Sequence, residues 1–258
     1  MSVSDLRRAA REKLRGNWLK MALIMFIAGQ LNSKLGLENV GYPTRTLILN
    51  TPFGFLGENG ALSFGIPVGY AWIIRIIIFL LAVFGMVATS GVMKSALRVL
   101  RGEKPSASDL LLRGVCWKML WMNIVRFVIN GAFLLDLPVD NMVMVIVLLP
   151  VFVWSFIAGI IYSMADYLLI NNPAMGAVEA LRESRRRMKG HKGKYFGLSM
   201  SFTGWVLLAA FASGLMNRFL PIPGIVSAWI RSAFMAVLGA YIYTARAAFC
   251  MHISGESI

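Results

Sequence analysis

"KGKYFGLSMSFTGWVLLAAFASGLMNR", Lys192 to Arg218, decides the fold class. Between Lys194 and Arg218 run 23 residues without a charge. A helix needs about 20 mostly apolar residues to cross the hydrocarbon of a bilayer. Two other stretches repeat the pattern: Asp140 and Asp166 bracket 25 uncharged residues, and Arg75 and Lys94 bracket 18. Hydrophobic residues make up 58% of the 258-residue chain, and charged residues only 15%, where ordinary globular domains hold about 25%. A soluble surface cannot hide that much apolar side chain. The class is all-α, a polytopic helical membrane protein.

Immediately before this run lies the basic block "LRESRRRMKGHKG", with Arg185, Arg186, Arg187, Lys189, His191, Lys192 and, one residue on, Lys194. The chain carries a net charge of +14. In a soluble protein these features point to nucleic acid. In a membrane protein they read differently, because loops retained on the cytoplasmic side collect Lys and Arg. Segments 1–20, 94–118 and 182–194 hold 6, 6 and 7 such residues, 19 of the 26 in the chain. The opposing connections hold only Lys34, Arg45 and Arg218, with Arg75 at a membrane edge. This asymmetry places both termini and all three basic segments in the cytoplasm, in a multi-pass plasma-membrane topology. Nucleic acid is excluded as a partner, since the basic residues sit in short segments tied to spans.

About six transmembrane helices follow: Trp18 to Leu37, Trp72 to Val92, Trp117 to Leu137, Met142 to Tyr167, Tyr195 to Asn217 and Ile225 to Phe249. Gln30, Asn32 and Lys34 interrupt the outer half of the first, and the second can continue to Leu100. All belong to a single domain, 1–258. Residues 1–17 form a cytoplasmic amphipathic helix, with Val3, Leu6, Ala10 and Leu14 at helical spacing and the apolar face toward lipid. Residues 38–70 are rich in Gly and Pro and hold no helix period, so they read as an outer cap or a re-entrant connection. After Pro105, Ser106 or Ser108 caps a short helix with Asp109 in its first turn. Segment 172–194 is a basic interfacial element. There Asn172 is the expected cap, Pro173 the first helical position, and Ala174, Val178, Leu181 and Met188 one face. Glu183 faces Arg186 and Arg187 at favourable spacing.

The 47 residues "YSMADYLLINNPAMGAVEALRESRRRMKGHKGKYFGLSMSFTGWVLL", Tyr162 to Leu208, resemble the signature of a bacterial membrane-protein family known as domain of unknown function 975. The shared features are a Tyr-Ser-Met near a span end, an Asn-Pro, an Ala-Leu-x-x-Ser helix, a Met-Lys-Gly-His-Lys-Gly turn and a Ser-Phe-x-Gly-Trp. "GVMKSALRVLRGEKPSASDLL" and "REKLRGNW" are similar to two further family segments. The resemblance implies a multi-span, mainly bacterial plasma-membrane protein and carries no activity with it.

Four ionisable residues near or within spans are the candidate intramembrane polar site: Arg126, Asp166, Arg231 and Arg246. Charges at such depth face protein, water or a partner. Asp166 can pair with Arg126 or Arg246, and Arg231 can reach Asp136 or Asp140. Two readings stay open, structural pairing and a polar cavity for an anion or a lipid headgroup. The basic residues from Arg185 to Lys194 have two readings as well: a connector lying on anionic lipid, or a surface for a membrane-protein partner or a second copy. Glycines in the spans, among them Gly91, Gly159, Gly204 and Gly239, read as close helix contacts. Cys116 and Cys250 are expected as free thiols. No nucleophile turn, phosphate loop or metal-ligand spacing is present, so no enzyme, cofactor or metal is expected. The expected function is a non-catalytic accessory or scaffold protein binding lipid or a membrane partner. The alternative is a small oligomeric transporter or channel.

Overall fold

The computed structural model describes residues 2–31, 34–39, 44–50, 61–67, 71–112, 114–130, 142–219 and 224–256. In chain order the helices are α1 (Val3–Leu14), α2 (Trp18–Leu31), α3 (Ala71–Leu100), α4 (Cys116–Asn130), α5 (Met142–Ile161), α6 (Ala165–Asn171), α7 (Ala177–Arg187), α8 (Lys192–Phe219) and α9 (Gly224–Ile253). Between α2 and α3 lie β1 (Lys34–Asn39), β2 (Thr44–Asn50) and β3 (Ala61–Pro67). They form an antiparallel meander in the order β1-β2-β3, with Leu37 opposite Leu47 and Leu47 opposite Phe64. The body of the chain is helical as expected. The stretch expected to be irregular holds this small sheet.

Three helical stretches among the described residues are long and apolar enough to cross a membrane: Leu148–Asn171, Lys192–Ala212 and Ile230–Ile253. Only 28% and 22% of the first two are buried inside the protein, against 61% of the third. Phe152, Trp205, Leu207, Leu208 and Phe211 stand exposed on α5 and α8. An apolar surface of that extent is stable in lipid and not in water. α2 differs from expectation. At 14 residues it is about 21 Å long, short of the ~30 Å hydrocarbon thickness. It ends where Gln30, Asn32 and Lys34 interrupt the apolar run, and the chain passes into β1.

α1 starts with a capping box. Asp5 N donates to Ser2 Oγ at 3.2 Å, and Ser2 N donates to Asp5 Oδ2 at 2.8 Å. These bonds hold the Asp5 carboxyl below the usual carboxylate range and satisfy donors that a helix start leaves free. The apolar face of α1 packs on protein instead of lipid. Leu6, Ala10 and Leu14 are buried against a core that includes α2, α3 and α9. The Tyr241 hydroxyl donates to the Arg7 carbonyl at 3.2 Å, and the Arg7 guanidinium lies 5.5 Å from the Phe202 ring centroid. Burying a leucine stabilises by roughly 1.5–3 kcal/mol, so Leu6 and Leu14 fix α1 across the end of the bundle.

α7 is likewise docked on protein. It begins at Ala177, not at Pro173, because the chain from Asn172 to Gly176 is a turn; Gly176 N donates to Glu179 Oε2 at 3.2 Å. The buried face is therefore Ala177, Ala180, Leu181 and Ser184, and Val178 is exposed. Ser184 has a specific task at the break between α5 and α6. Its hydroxyl donates to Ile161 O at 2.9 Å and accepts from Met164 N at 3.2 Å. It thereby satisfies one orphan carbonyl and one orphan amide in a buried place, where each left unpaired costs about 1–3 kcal/mol. That gives the Ala-Leu-x-x-Ser pattern a physical reason. Glu183 accepts from Arg187 at 2.8 Å and pairs with Arg186 at 3.0 Å, as its spacing predicts.

The 3-10 turn Ala107–Leu111 is capped by Ser106, as one of the two expected serines. It lies directly on α3: a Cβ on Gly91 would meet Leu110 Cα at 2.5 Å and Asp109 O at 2.7 Å. Gly239 makes room for the Met25 side chain of α2, which a Cβ there would meet at 2.8 Å. Gly159 and Gly204 do not serve as close contacts, since nothing lies within 4 Å of a Cβ built at either.

Candidate functional site

α3, α4, α6 and α9 bring a polar network together inside this apolar frame. Arg126 on α4 is the eleventh residue of its helix, about 15 Å from its start. Its guanidinium donates to Asp166 Oδ2 at 3.0 Å and to Asn123 Oδ1 at 2.6 Å. Ser90 Oγ on α3 donates to Asp166 Oδ1 at 2.8 Å, and Asn123 Nδ2 donates to Ser90 Oγ at 3.3 Å. The ring of contacts closes on itself. Asn123 is 5% exposed and Ser90 3%, so both are held away from solvent and their polar atoms need these partners.

Asp166 thus pairs with Arg126, one of its two expected partners. Arg246 on α9 takes a different position. Its guanidinium lies 5.4 Å from the Tyr243 ring centroid and 5.6 Å from that of Tyr195. Aromatic faces attract a guanidinium by 0.5–2 kcal/mol or so without neutralising it. Among the described residues, no carboxylate oxygen lies within 4.0 Å of it. Arg126, Asp166 and Arg246 all line one cavity of about 270 Å³, together with Thr89, Asn130 and Tyr243. Its formal balance is two cations against one anion. Among the described residues, Asn130 Oδ1, which is buried, has no hydrogen-bond partner.

Arg231 does not join this group. It lies 15 residues before Arg246 on the same helix, about 22 Å away, and it does not line the cavity. Its expected partners Asp136 and Asp140 lie outside the described residues.

The basic residues of the candidate surface lie at the end of α7, in the turn after it and at the start of α8. Arg185, Arg186, Lys189, Lys192 and Lys194 are exposed; Arg187 and His191 are half-buried. Arg187 also donates to Ser254 Oγ at 3.1 Å, which ties α7 to the end of α9. Nearby, Arg101 pairs with Glu256 at 3.2 Å, and Glu256 accepts from Tyr167 and from Asn171 at 3.0 Å. Lys118 donates to the carbonyl of Pro173. The ends of α3, α4, α6, α7 and α9 are cross-tied on one face. Cys116 is exposed and Cys250 buried, both as free thiols. Among the described residues, no group of three or more His, Cys, Asp or Glu side chains could hold a metal ion.

Reasoning from sequence found the charged members of the network and missed the neutral ones. Asn123 carried a usable signal, since an amide within an apolar span needs a partner. Ser90, Tyr195 and Tyr243 carried none, because such residues are ordinary in spans and at their ends.

No curated protein and no solved structure matches the chain. Residues 62–257 match a family described as "Protein of unknown function (DUF975)". That range encloses the whole polar network, from Ser90 to Arg246, and most of the chain; it leaves out α1 and α2. The chain belongs to this DUF975 family.

Proposed function

We propose that the chain is a multi-pass protein of the bacterial plasma membrane, with both termini cytoplasmic, and serves as a non-catalytic accessory or scaffold protein. Six membrane segments, α2, α3, α4, α5, α8 and α9, carry it, with α2 and the described part of α4 short of the full thickness. Its working surface is the basic cytoplasmic strip formed by Arg185, Arg186, Lys189, Lys192 and Lys194. The strip engages anionic lipid and, through it or beside it, a membrane-protein partner or a second copy. The observation that carries this reading is the gathering of the three basic segments. Arg101, Lys118 and Arg187, one or more from each of two segments, are bonded into one end of the bundle, and α1 packs across α9. Each basic residue near an anionic leaflet contributes about 1 kcal/mol, so five exposed ones hold that face to the surface.

Gentle purification from the native membrane tests the proposal. A stoichiometric protein partner, or selective enrichment of anionic lipid, is the expected result. The polar cavity favours a second reading, a small transporter. A protein that purifies without partners and drives anion flux in liposomes would replace the scaffold reading with that one.

A further inference from the structure

We infer that the Arg246 cavity and the groove beside it form a built site for one anionic phospholipid of the cytoplasmic leaflet. Its headgroup phosphate meets Arg246, and one acyl chain lies between α5 and α8. The inference rests on the membrane placement proposed above and is independent of the basic strip.

Two adjoining hollows carry it. The polar cavity of about 270 Å³ and a groove of about 490 Å³ share two lining residues, Gly159 and Arg246. Away from Arg246 the groove is mostly apolar, lined by Phe156, Ile160, Leu198, Phe202, Val206 and Ile242. Phe156 is 45% exposed and so stands at an open flank of the groove. One hollow suits a charged head and the other a hydrocarbon tail, and they meet at an arginine.

The order of residues along the helices matches the order of groups in a phospholipid. On α9, Arg246 lies nearer the basic end than Ile242, one turn deeper. On α8, Tyr195 comes first, then Leu198, Phe202 and Val206. On α5, Ile160 precedes Phe156 going inward. From Leu198 to Val206 the groove runs about 12 Å, close to the ~15 Å of one leaflet's hydrocarbon. α9 has 30 residues and is about 45 Å long, which exceeds the ~30 Å hydrocarbon thickness by about 15 Å. Arg246 lies seven residues before the end of α9 at Ile253, about 10 Å from it. With that excess on the basic side, Arg246 sits at headgroup level, between Tyr195 and Tyr243, side chains suited to that depth.

Charge selects the lipid class. Arg126 is matched by Asp166 at 3.0 Å, whereas Arg246 has aromatic neighbours and, among the described residues, no carboxylate in contact. The surplus positive charge calls for an anion. A phosphodiester whose headgroup carries no compensating amine supplies it, so phosphatidylglycerol fits and phosphatidylcholine does not.

The test uses the full chain, stripped of lipid in detergent and titrated with phosphatidylglycerol or phosphatidylcholine of identical acyl chains. Native mass spectrometry and thermal unfolding are the readouts. One phosphatidylglycerol per chain is expected to bind and raise the melting temperature, with phosphatidylcholine weaker by about tenfold, since its choline cation adds a like charge to a cavity that already holds surplus positive charge. Arg246→Gln removes that preference. Gly159→Leu blocks the junction sterically and reduces binding of both lipids. Because a Cβ at Gly159 meets nothing within 4 Å, this variant keeps the fold if Arg246→Gln does not. A combined Arg185→Gln, Arg186→Gln, Lys189→Gln variant retains the single bound lipid while losing affinity for phosphatidylglycerol vesicles. Equal binding of the two lipids, retention in Gly159→Leu, displacement by millimolar inorganic phosphate alone, or a second copy of the chain filling the groove would each overturn the inference. Loss of the single lipid in the strip variant alone would overturn it too, while leaving the proposed function standing.

Discussion

Two aspartates, Asp109 and Asp166, each face an arginine from a neighbouring segment at 3.0 Å, and the surroundings make them different objects. Asp109 is closed in. It is 2% exposed, accepts from Arg98, Ser95 and the Ser106 amide, and has Lys94 at 3.9 Å. The close approach of its own turn to Gly91 leaves no space behind it. Asp166 accepts from Arg126 and Ser90 and then looks into a cavity shared with a second arginine. The first pair joins a loop to a helix. The second leaves charge and volume unfilled. An arginine–aspartate pair alone therefore says little about role; the space and the charge left over around it say more.

The comparison breaks most visibly at Asp109. Replacing it with Ala leaves Arg98 without its buried partner and uncaps the 3-10 turn. A loss of about 3 kcal/mol is expected, read as a lower melting temperature in detergent. Next comes a pair of glycines. Gly91→Ala forces a Cβ into the Leu110 backbone and destabilises by about 2 kcal/mol. Gly159→Ala enters open space and, as a better helix former, stabilises by up to about 1 kcal/mol. The same thermal measurement checks both, and a similar loss at both positions would erase the contrast between closed and open sites.

Asp166→Asn is the third case. The amide still accepts from Ser90 or Arg126, so stability falls by only about 1 kcal/mol. Retention of phosphatidylglycerol rises, because two arginines now face the cavity unopposed. A mass-spectrometric titration distinguishes this from the loss expected for Arg246→Gln. The smallest effect is at Glu183. The hydrogen bond from Arg187 lowers its pKa in the folded protein, so the stabilisation is present above the ordinary glutamate pKa and disappears as pH falls through the lowered value. Glu183→Gln should remove a few tenths of a kcal/mol at neutral pH and nothing at low pH, in a melting series run across the acid range.

Much of this was legible in the residues. The uncharged runs between Arg75 and Lys94 and between Lys194 and Arg218 located α3, with its continuation to Leu100, and α8 to within a few residues, and Arg126 was one of the two partners expected for Asp166. The block around Ala-Leu-x-x-Ser pointed to the right family. Other features were hidden for identifiable reasons. Helical spacing in α1 and α7 marks a face that must be buried but not what covers it; both cover protein, where lipid was expected. Asn172 and Pro173 form a good helix start in isolation, yet α6 ends there and the next helix waits until Ala177. The meander lay unseen because Gly36 interrupts β1, Gly65 and Pro67 interrupt β3, and β2 holds a continuous Leu-Ile-Leu run in place of a strict alternation. Arg246 was visible as a charge, but its flanking rings come from Tyr243 on its own helix and Tyr195 on another, and only the fold brings the second of them near.

The central claim, that the three basic segments share the cytoplasmic face of a membrane-embedded bundle, can be tested on a natural reporter. Cys116 is exposed beside the second basic segment, and Cys250 is buried. In a Cys250→Ala background, a membrane-impermeant maleimide should leave Cys116 unlabelled in intact cells and label it once the membranes are opened. A cysteine placed at Asp140, with both natural cysteines removed, should show the reverse. Labelling of Cys116 from outside intact cells would contradict the account.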